Sequence, residues 1–370
     1  MASIQKTPSG RWQVRYKDTT GKHRAKTLRR KVDAQAFLHE VQNSIAGGSY
    51  IAAERGAVDV PTWVQQHLDA RADLGVTTRN RTQGIIATHV TPKWSEVRLS
   101  GVEHADVQVW VKELLDSGQS VRSARKIVNV LSASMEAAVR DKRIHNNPCQ
   151  GVKFPKVAPK SKIFLDAKQV EQLAAATVDD RQELIVYVLA YCGLRWGELA
   201  GLRVQDFDPL RRRLNIEQTI VDDNGKTLMK PPKDHEIRSV PVPKFLVEKI
   251  AAYIAGTDAT GLIFTSPRGG PLRNRNERGR WFDQAAEEIG VPELTPHALR
   301  HTAASMAIGA GASVLSVQRM LGHSSATVTL DVYSSLFEDD LDEVAERLDS
   351  MRTENGLRDF YVKRKVRELG

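Results

Sequence analysis

The sequence has few of the features that belong to membrane proteins, disulfide-bonded scaffolds or disordered chains. Its 370 residues include only two cysteines, Cys149 and Cys192, too few and too isolated for a disulfide framework or a cysteine-based zinc site. The N-terminus lacks the apolar core of a signal peptide, and no stretch approaches the roughly 20 apolar residues of a membrane span. Because 41% of the residues are hydrophobic and 27% charged, wholesale disorder is also disfavoured. We expect a soluble protein in a reducing compartment.

What the sequence has in excess is positive charge. The formal net charge is +9, which favours contact with a polyanion, either nucleic acid or a membrane surface. The lack of a membrane segment makes nucleic acid the better candidate. A chain of this length is also too long for one ordinary core and predicts two or three domains.

The first fifty residues predict a small sheet followed by a helix. Residues 10–17 alternate as a strand does, with Trp12, Val14 and Tyr16 on one face. A turn signal follows, and residues 23–30 predict a second strand. The next segment, from about Asp33 to the glycine pair at 47–48, has near-helical spacing of its apolar residues.

This first block is strongly basic. Between Lys6 and Lys31 there are ten lysines and arginines against one acid, Asp18. A solvated hairpin would explain the charge, but basic residues that flank aromatic residues of a strand favour a small sheet that binds DNA. The candidate DNA contacts are Arg11, Arg15, Lys17, Lys22, Arg24, Lys26, Arg29 and Arg30.

The central part of the chain, from Thr62 to about Arg143, has a helical pattern throughout. The predicted helices span 63–73, 77–90, 105–116 and 120–140, and the second is expected to stop before Pro92. Residues 153–162 contain lysines and prolines but no acid, which is typical of an extended basic linker. Beyond it, helices are interrupted by short strands predicted near 214–217, 238–241 and 262–264.

One unusual set of residues stands in the second half of the chain. It consists of Arg195, His297, Arg300, His323 and Tyr333, with His297 and Arg300 on one helical face. Each has an ordinary explanation: an arginine can cap a helix end, an imidazole can lie in a surface turn, and a lone tyrosine is usually packing. The ordered set is more informative than its members.

The motifs around these residues resemble the conserved boxes of the tyrosine recombinases, in the same order. They are Cys192-Gly-Leu-Arg-Trp-Gly-Glu-Leu199, Thr295-Pro-His-Ala-Leu-Arg-His-Thr302, Leu321-Gly-His323 and Val332-Tyr333. The resemblance covers roughly residues 164–349. The basic N-terminal block resembles the arm-binding domain of phage integrases, including those of actinobacterial temperate phages.

The resemblance implies a multidomain, mainly α-helical α+β fold. A small three-stranded sheet with a helix would form an arm-type DNA-binding domain (1–55), followed by an all-helical, SAM-like core-binding domain (56–152). After a linker (153–163) comes a mixed α/β catalytic domain (164–350) and a tail (351–370). A helical pattern over 341–348 would dock on a neighbouring protomer or on its own domain.

The resemblance also implies a mechanism that suits the residue types. Arg195 and Arg300 would grip the nonbridging oxygens of a phosphodiester, since guanidinium stays charged at any working pH. His297 and His323 would donate hydrogen bonds to the same phosphate, and His297 would exchange a proton with Tyr333. Tyr333 would form a 3′-phosphotyrosyl bond and release a 5′-hydroxyl. Religation would then need no ATP, metal or other cofactor.

Two further residues take expected roles from the same resemblance, and the helical pattern gives an expectation for a third. Lys233 best matches the hairpin lysine that protonates the leaving oxygen; Lys230 and Lys226 are the alternatives, and a solvated lysine is the ordinary explanation. Glu198 would support the placement of Arg195. His301 is expected to point away from the face of His297 and to be structural.

The implied partners are double-stranded DNA at core and arm attachment sites and further copies of the chain in a homotetramer. A DNA-bending host factor and a directionality factor are expected, but no membrane partner. The implied location is the cytoplasm and nucleoid of a bacterial host.

Three other functions are weighed against this one. A type IB topoisomerase shares the tyrosine chemistry but lacks the basic N-terminal domain. A DNA-binding regulator would not need the set of five residues. A metal-dependent nuclease would need clustered carboxylates, for which the sequence shows no convincing candidate.

Overall fold

The computed structural model describes residues 2–158, 162–223, 225–231, 237–334, 345–346 and 348–350. The chain divides into two compact units, Met1–Pro159 and Lys160–Gly370. Lys233 and most of the predicted helix 341–348 and the tail lie outside the described residues.

The first unit begins with a three-stranded antiparallel sheet that packs on one helix. Strands β1 (Ser3–Lys6), β2 (Trp12–Lys17) and β3 (His23–Leu28) pair in sequence order, followed by helix α1 (Lys31–Ala46). Val14 is fully buried. Strand β1 did not emerge from the residue pattern because it is four residues long and mostly polar.

The rest of the first unit is helical. Its bounds are α2 (Val60–Ala70), α3 (Val76–Ile85), α4 (Thr91–Trp94), α5 (His104–Asp116) and α6 (Val121–Arg140). The buried stripe of α6, which includes Leu131 and Met135, forms a common core with Trp63, Trp94 and Trp110. Periodic apolar residues located α2, α5 and α6 because one face of each is buried, whereas α3 has no fully buried residue.

The prediction that the second helix of this block stops before Pro92 is wrong. Helices α3 and α4 are joined by a π-helical turn, Ile86–Val90, and the helical path continues through Pro92 to Trp94. Proline lacks an N–H and its ring clashes with the carbonyl of an α-helix one turn earlier. A wider turn before it accommodates that clash, and burial of Trp94 favours the continuation.

The second unit combines helices with small antiparallel sheets. Its helices are α7 (Ala167–Ala175), α8 (Asp180–Cys192), α9 (Trp196–Gly201), α10 (Lys244–Tyr253), α11 (Asn274–Glu277), α12 (Asp283–Glu288), α13 (Pro296–Gly309), α14 (Val314–Leu321) and α15 (Ala326–Tyr333). A π-helical turn, Arg278–Phe282, joins α11 to α12. Its strands are β4 (Phe207–Asp208), β5 (Arg213–Ile216), β6 (Thr219–Asp223), β7 (Lys226–Lys230) and β8 (Arg238–Pro241).

The strands form one three-stranded sheet in the order β4-β5-β8 and one hairpin, β6–β7. The strand predicted near 262–264 is wrong, because Leu262 makes only an isolated bridge with Arg203. Ile263 and Phe264 are apolar because they are buried in the core, and burial alone does not require a strand ladder.

Helix α8 lies at the centre of the second unit. Nine of its thirteen residues are buried, including Ile185, Val188 and Leu189 at 0% exposure, so it is covered on nearly every side. It packs against α7, α10 and α13. Because this packing holds α8 in place, its C-terminal end at Cys192 determines where the residues that follow it lie. Among the described residues, no helix is long and apolar enough to span a membrane.

Candidate active site

Arg195 is placed by a left-handed turn at the end of α8. Gly193 has φ +65°, and a Cβ there would lie 2.7 Å from Cδ2 of Leu321. Glycine therefore satisfies both the backbone angle and the close approach of α14. Arg195 follows two residues later, immediately before α9, with its side chain 34% exposed.

Arg300 enters the same region from the first turns of α13. Thr295 caps this helix, its hydroxyl accepting a hydrogen bond from the Ala298 amide. The Arg300 side chain is buried, and its guanidinium donates to the carbonyls of Gly193 at 2.7 Å and Leu321 at 2.6 Å. The two arginines are thus brought together by the ends of two buried helices.

The C-terminus of α14 joins both arginines to His323. Arg195 donates to the Gly322 carbonyl at 2.9 Å, one residue after the carbonyl that Arg300 holds. Cations are favoured at a helix C-terminus, where carbonyls lack helical partners. His323 follows directly, with its Nδ1 2.9 Å from the hydroxyl of buried Thr329.

Glu198 carries the negative charge of this cluster. Its Oε1 accepts from Arg195 Nη1 at 2.8 Å and its Oε2 from the Arg195 amide at 2.8 Å. Burial opposes the charged carboxylate, but hydrogen bonds from Arg238 and the Arg195 amide outweigh it and lower the pKa of Glu198. Glu198 thereby fixes both the backbone and the guanidinium of Arg195.

The site keeps a surplus of positive charge. Three guanidiniums, those of Arg195, Arg238 and Arg300, surround the single Glu198 carboxylate. Burial and the neighbouring Arg195 charge lower the pKa of Arg300 to about 9, so it remains protonated at neutral pH. Such a cluster favours an anion, and a phosphodiester would supply the missing negative charge.

Tyr333 ends α15 and is only 1% exposed. Its hydroxyl is 2.8 Å from Nδ1 of His301, and its ring packs near Phe164. Burial raises the pKa of Tyr333 to about 12, against a smaller opposing effect of the Arg300 charge. In this arrangement the phenol is neutral and needs a proton acceptor before it can act as a nucleophile.

The expectation that His301 points away from His297 is wrong. Residues four apart on an α-helix share a face, and the centroids of the two imidazole rings lie 5.0 Å apart. His301, not His297, is the residue hydrogen-bonded to Tyr333, whereas His297 is exposed. The four-residue spacing was the signal that could have identified His301.

Arg238 is the other residue of the site that the sequence patterns did not single out. It bonds both carboxylate oxygens of Glu198, at 3.0 and 2.6 Å, and its side chain is 8% exposed. On strand β8 it shares a face with buried Val240, so alternation along the strand was the signal that could have marked it as inward-facing.

The predicted hairpin lysine cannot be compared with this geometry, because Lys233 lies outside the described residues. Of the two alternatives, Lys226 begins β7 and is exposed, and Lys230 ends the same strand and is half-buried. Among the described residues, no group of three or more His, Cys, Asp or Glu side chains is arranged to hold a metal ion.

The N-terminal basic residues divide between the two faces of their sheet. Cross-strand pairs share a face, and the register pairs Arg24 with Tyr16 and Lys26 with Val14 on the side of α1. There Arg24 bonds Asp18 and Glu54, and Lys26 lies 4.2 Å from the ring centroid of Phe37.

The opposite face of this sheet carries Arg15 and Lys17, whose cross-strand partners are Ala25 and His23. Arg11, Lys22, Arg29 and Arg30 are exposed outside the strands, and Arg30 is paired with Asp33. The face away from α1 therefore carries two exposed basic side chains, Arg15, which donates to the Gln13 side chain, and Lys17.

Comparison with known proteins identifies the family of the chain. A profile of the phage integrase family matches residues 163–339, and one of the phage integrase N-terminal domain matches residues 2–47. The chain belongs to the phage integrase family. Its members are tyrosine recombinases, so the chain is an enzyme of DNA strand cleavage and transfer, and its function is site-specific recombination.

Individual relatives match most of the chain. The integrase of Mycobacterium phage L5 is 27% identical over 355 residues, covering 89% of this chain and 92% of that protein. The tyrosine recombinase XerC of Bacillus licheniformis is 27% identical over 252 residues, covering 64% and 78%.

Solved structures show the same fold. The Tn1549 transposon integrase in complex with a circular intermediate DNA aligns with a TM-score of 0.69 at 20% identity, covering 78% of this chain and 99% of that one. A lambda integrase dimer bound to a COC' core site gives 0.58 at 18% identity, covering 89% and 93%. The expected mixed α/β architecture is confirmed.

Proposed function

We propose that the chain cleaves and rejoins double-stranded DNA with Tyr333 as its nucleophile. The observation that carries this proposal is the meeting of Arg195 and Arg300 on the carbonyls of Leu321 and Gly322, directly before His323. Preorganised charges of this kind stabilise a phosphorane-like transition state, and removing one costs about a hundredfold in rate or more.

The chemistry follows from the placement of each group. Arg195, Arg300, His297 and His323 bind the scissile phosphate, and the Tyr333 oxygen attacks phosphorus. The phenolic proton passes to an imidazole, for which His301 is already in hydrogen-bond contact. The bond to the 5′-oxygen breaks, and Lys233 supplies its proton. A 3′-phosphotyrosyl ester remains, and attack by the 5′-hydroxyl of a second strand reverses the steps.

The buried state of Tyr333 requires a rearrangement before cleavage. Because Tyr333 is 1% exposed, a DNA phosphate outside the protein cannot contact its hydroxyl in this arrangement. We infer that DNA binding moves the end of α15 outward. Lys162, which donates to the Val332 carbonyl at 2.8 Å, is one contact that this movement would break.

The wider assembly is proposed on the same basis. DNA is the substrate, and several protomers act together on it, as in the solved lambda integrase tetramer bound to a Holliday junction. We propose the domain bounds 1–55, 56–152, 153–163, 164–350 and 351–370, and a homotetramer on core and arm sites. We further propose that a DNA-bending host protein and a directionality factor act with it. The proposed location is a bacterial cytoplasm.

A suicide DNA substrate tests the proposal. Incubation in EDTA should give a covalent protein–DNA adduct with the wild type and none with Tyr333→Phe. Tyr253→Phe is the matched control, since it removes a hydroxyl from a half-buried tyrosine elsewhere in the second unit and should leave the adduct unchanged. An EDTA-sensitive cut without an adduct would show a metal nuclease, and DNA binding without cleavage would show a regulator.

A supercoiled plasmid separates recombination from topoisomerase activity. We expect strand exchange only between paired attachment sites. Relaxation of any plasmid without exchange would favour the type IB topoisomerase. Deleting residues 1–55 should leave cleavage intact but weaken recombination at sites that carry arm sequences; unchanged recombination would contradict the arm-binding assignment.

A further inference from the structure

We propose that Arg238 is a positioning residue for the phosphodiester chemistry, an inference that rests on the function proposed above. Arg238 lies on β8, whereas the phosphate-binding arginines lie next to α9 and in α13. Its guanidinium reaches the same cluster from the sheet. It therefore connects three parts of the second unit that are far apart in sequence.

The first contact fixes Arg195 through Glu198. Arg238 donates to both Glu198 oxygens, which at the same time accept from the Arg195 guanidinium and amide. Glu198 is 2% exposed, so water cannot replace a lost partner readily. Without Arg238, Arg195 would be the one charged residue still hydrogen-bonded to the carboxylate, and the Glu198 and Arg195 side chains could then shift together.

The second contact fixes the backbone that precedes His323. Arg238 Nε donates to the Met320 carbonyl at 3.1 Å. The next two carbonyls, those of Leu321 and Gly322, accept from Arg300 and Arg195. Three successive carbonyls at the end of α14 thus accept hydrogen bonds from three arginines. Two of these arginines, Arg195 and Arg300, are proposed to bind the phosphate. The third acts through these shared partners.

Close packing leaves little room for other arrangements. A Cβ added at Gly322 would lie 3.0 Å from both Cδ and Nη1 of Arg238. The Arg238 side chain therefore lies directly against the backbone that leads to His323. Arginine suits this position because its planar fork bonds both carboxylate oxygens while Nε remains free for the carbonyl; lysine offers one compact charge instead.

The position of Arg238 in the chain adds a second consequence. It follows Lys233 by five residues, and β8 pairs with β5 in the register Ile216 to Arg238. Anchoring Arg238 in the arginine cluster thus fixes one end of the segment that carries the proposed general acid. A misplacement of about 1 Å costs up to a hundredfold in rate.

The experiment compares Arg238→Gln and Arg238→Lys with the wild type in single-turnover cleavage of a suicide substrate at saturating DNA. We expect adduct formation to slow about 30- to 100-fold in Arg238→Gln and about tenfold in Arg238→Lys, with DNA Kd changed less than about threefold. Arg203→Gln is the matched control. Arg203 likewise bonds both oxygens of one buried carboxylate, that of Asp206, and it also bonds Glu217. Among the described residues, none of these bonds reaches the arginine cluster.

A double variant separates positioning from general stability. Because Arg238 acts through Glu198, Arg238→Gln combined with Glu198→Gln should be little slower than the slower single variant. The inference would be overturned if the two single variants slowed cleavage by factors that multiply in the double variant. It would also be overturned if Arg203→Gln, with a similar fall in thermal stability, slowed cleavage as much as Arg238→Gln does. So would wild-type cleavage by Arg238→Gln; if that variant does not fold, wild-type cleavage by Arg238→Lys is equally decisive.

The wild-type reaction distinguishes the two levels of the proposal. Loss of the wild-type adduct itself, or an adduct that persists in Tyr333→Phe, would refute the proposed function and the role of Arg238 with it. A normal Tyr333 adduct with unaffected Arg238 variants would refute only the positioning role.

Discussion

Nδ1 of His301 and the hydroxyl of Tyr333 are 2.8 Å apart inside the second unit, where the tyrosine is almost completely buried. Either atom can donate, depending on the imidazole tautomer. With the proton on Nε2, Nδ1 accepts from the phenol and is ready to take its proton. Burial lowers the pKa of His301 to about 4, so the imidazole is neutral at pH 7 and its Nδ1 can accept a hydrogen bond from the phenol.

We expect His301→Phe to slow adduct formation about a hundredfold, because the ring is kept but the proton acceptor is lost. His301→Asn, whose amide can take the place of Nδ1 in the hydrogen bond without accepting a proton, should be similarly slow but retain the position of Tyr333. The measurement is single-turnover cleavage of a suicide substrate. His297→Phe serves for comparison: if it alone is slow while His301→Phe cleaves normally, His297 is the residue that takes the proton.

Acid should destabilise the second unit between about pH 6.5 and pH 4. Burial lowers the pKa of His301 and of His323 to about 4, whereas an unfolded histidine has a pKa of about 6.5. In that window the unfolded chain binds protons that the folded chain does not, so the stabilisation is complete above pH 6.5 and is lost as pH falls through 4. Each histidine contributes about 1 to 3 kcal/mol, allowing for solvent screening.

The measurement is thermal unfolding as a function of pH. The double variant His301→Asn with His323→Asn should lose less stability on acidification than the wild type. Parallel curves for the two proteins would show that other groups cause the acid sensitivity.

Gly322→Ala should impair both folding and cleavage. Gly322 has φ +63°, and a Cβ would also press on the Arg238 side chain at 3.0 Å. The left-handed angle alone costs on the order of 1 kcal/mol for alanine. Gly256→Ala isolates that cost, since Gly256 has φ +79° with no atom within 4 Å of an added Cβ.

Denaturant unfolding and single-turnover cleavage distinguish the two glycine variants. Both should lose about 1 kcal/mol of unfolding free energy or more, and only Gly322→Ala should cleave more slowly. Equal cleavage by both variants would mean that the contact with Arg238 does not control the site.

The N-terminal sheet should bind DNA through the face that points away from α1. Replacing Arg15 and Lys17 together by alanine should weaken arm-DNA binding and reduce the slope of log K against log salt by about 2, because two phosphate contacts are lost. Lys26→Ala should leave that slope unchanged, since Lys26 lies on the side of the helix over Phe37. Titrations with labelled DNA at several salt concentrations measure both slopes, and a reversed order would place DNA on the other face.

Much of the fold followed from local patterns. Helices α2, α5 and α6 were predictable because each buries one face, as α6 does through Leu131 and Met135. The continuation of the helix through Pro92 was not predictable from the sequence. The free-energy cost of a proline within a helix is offset there by a π-helical turn and by the burial of Trp94, and both depend on the tertiary structure. The apolar residues near 263 were misassigned for the same reason: burial, and not strand pairing, determines them.

The sequence alone determined the class of this protein, since Arg195, His297, Arg300, His323 and Tyr333 occur in the order and spacing of the tyrosine recombinases. Only the tertiary structure decided which groups touch. Tyr333 meets His301 across 32 positions, Glu198 meets Arg238 across 40, and Arg195 meets Gly322 across 127. Helical and strand periods report the face of an element, whereas contacts over such separations depend on how the elements pack together.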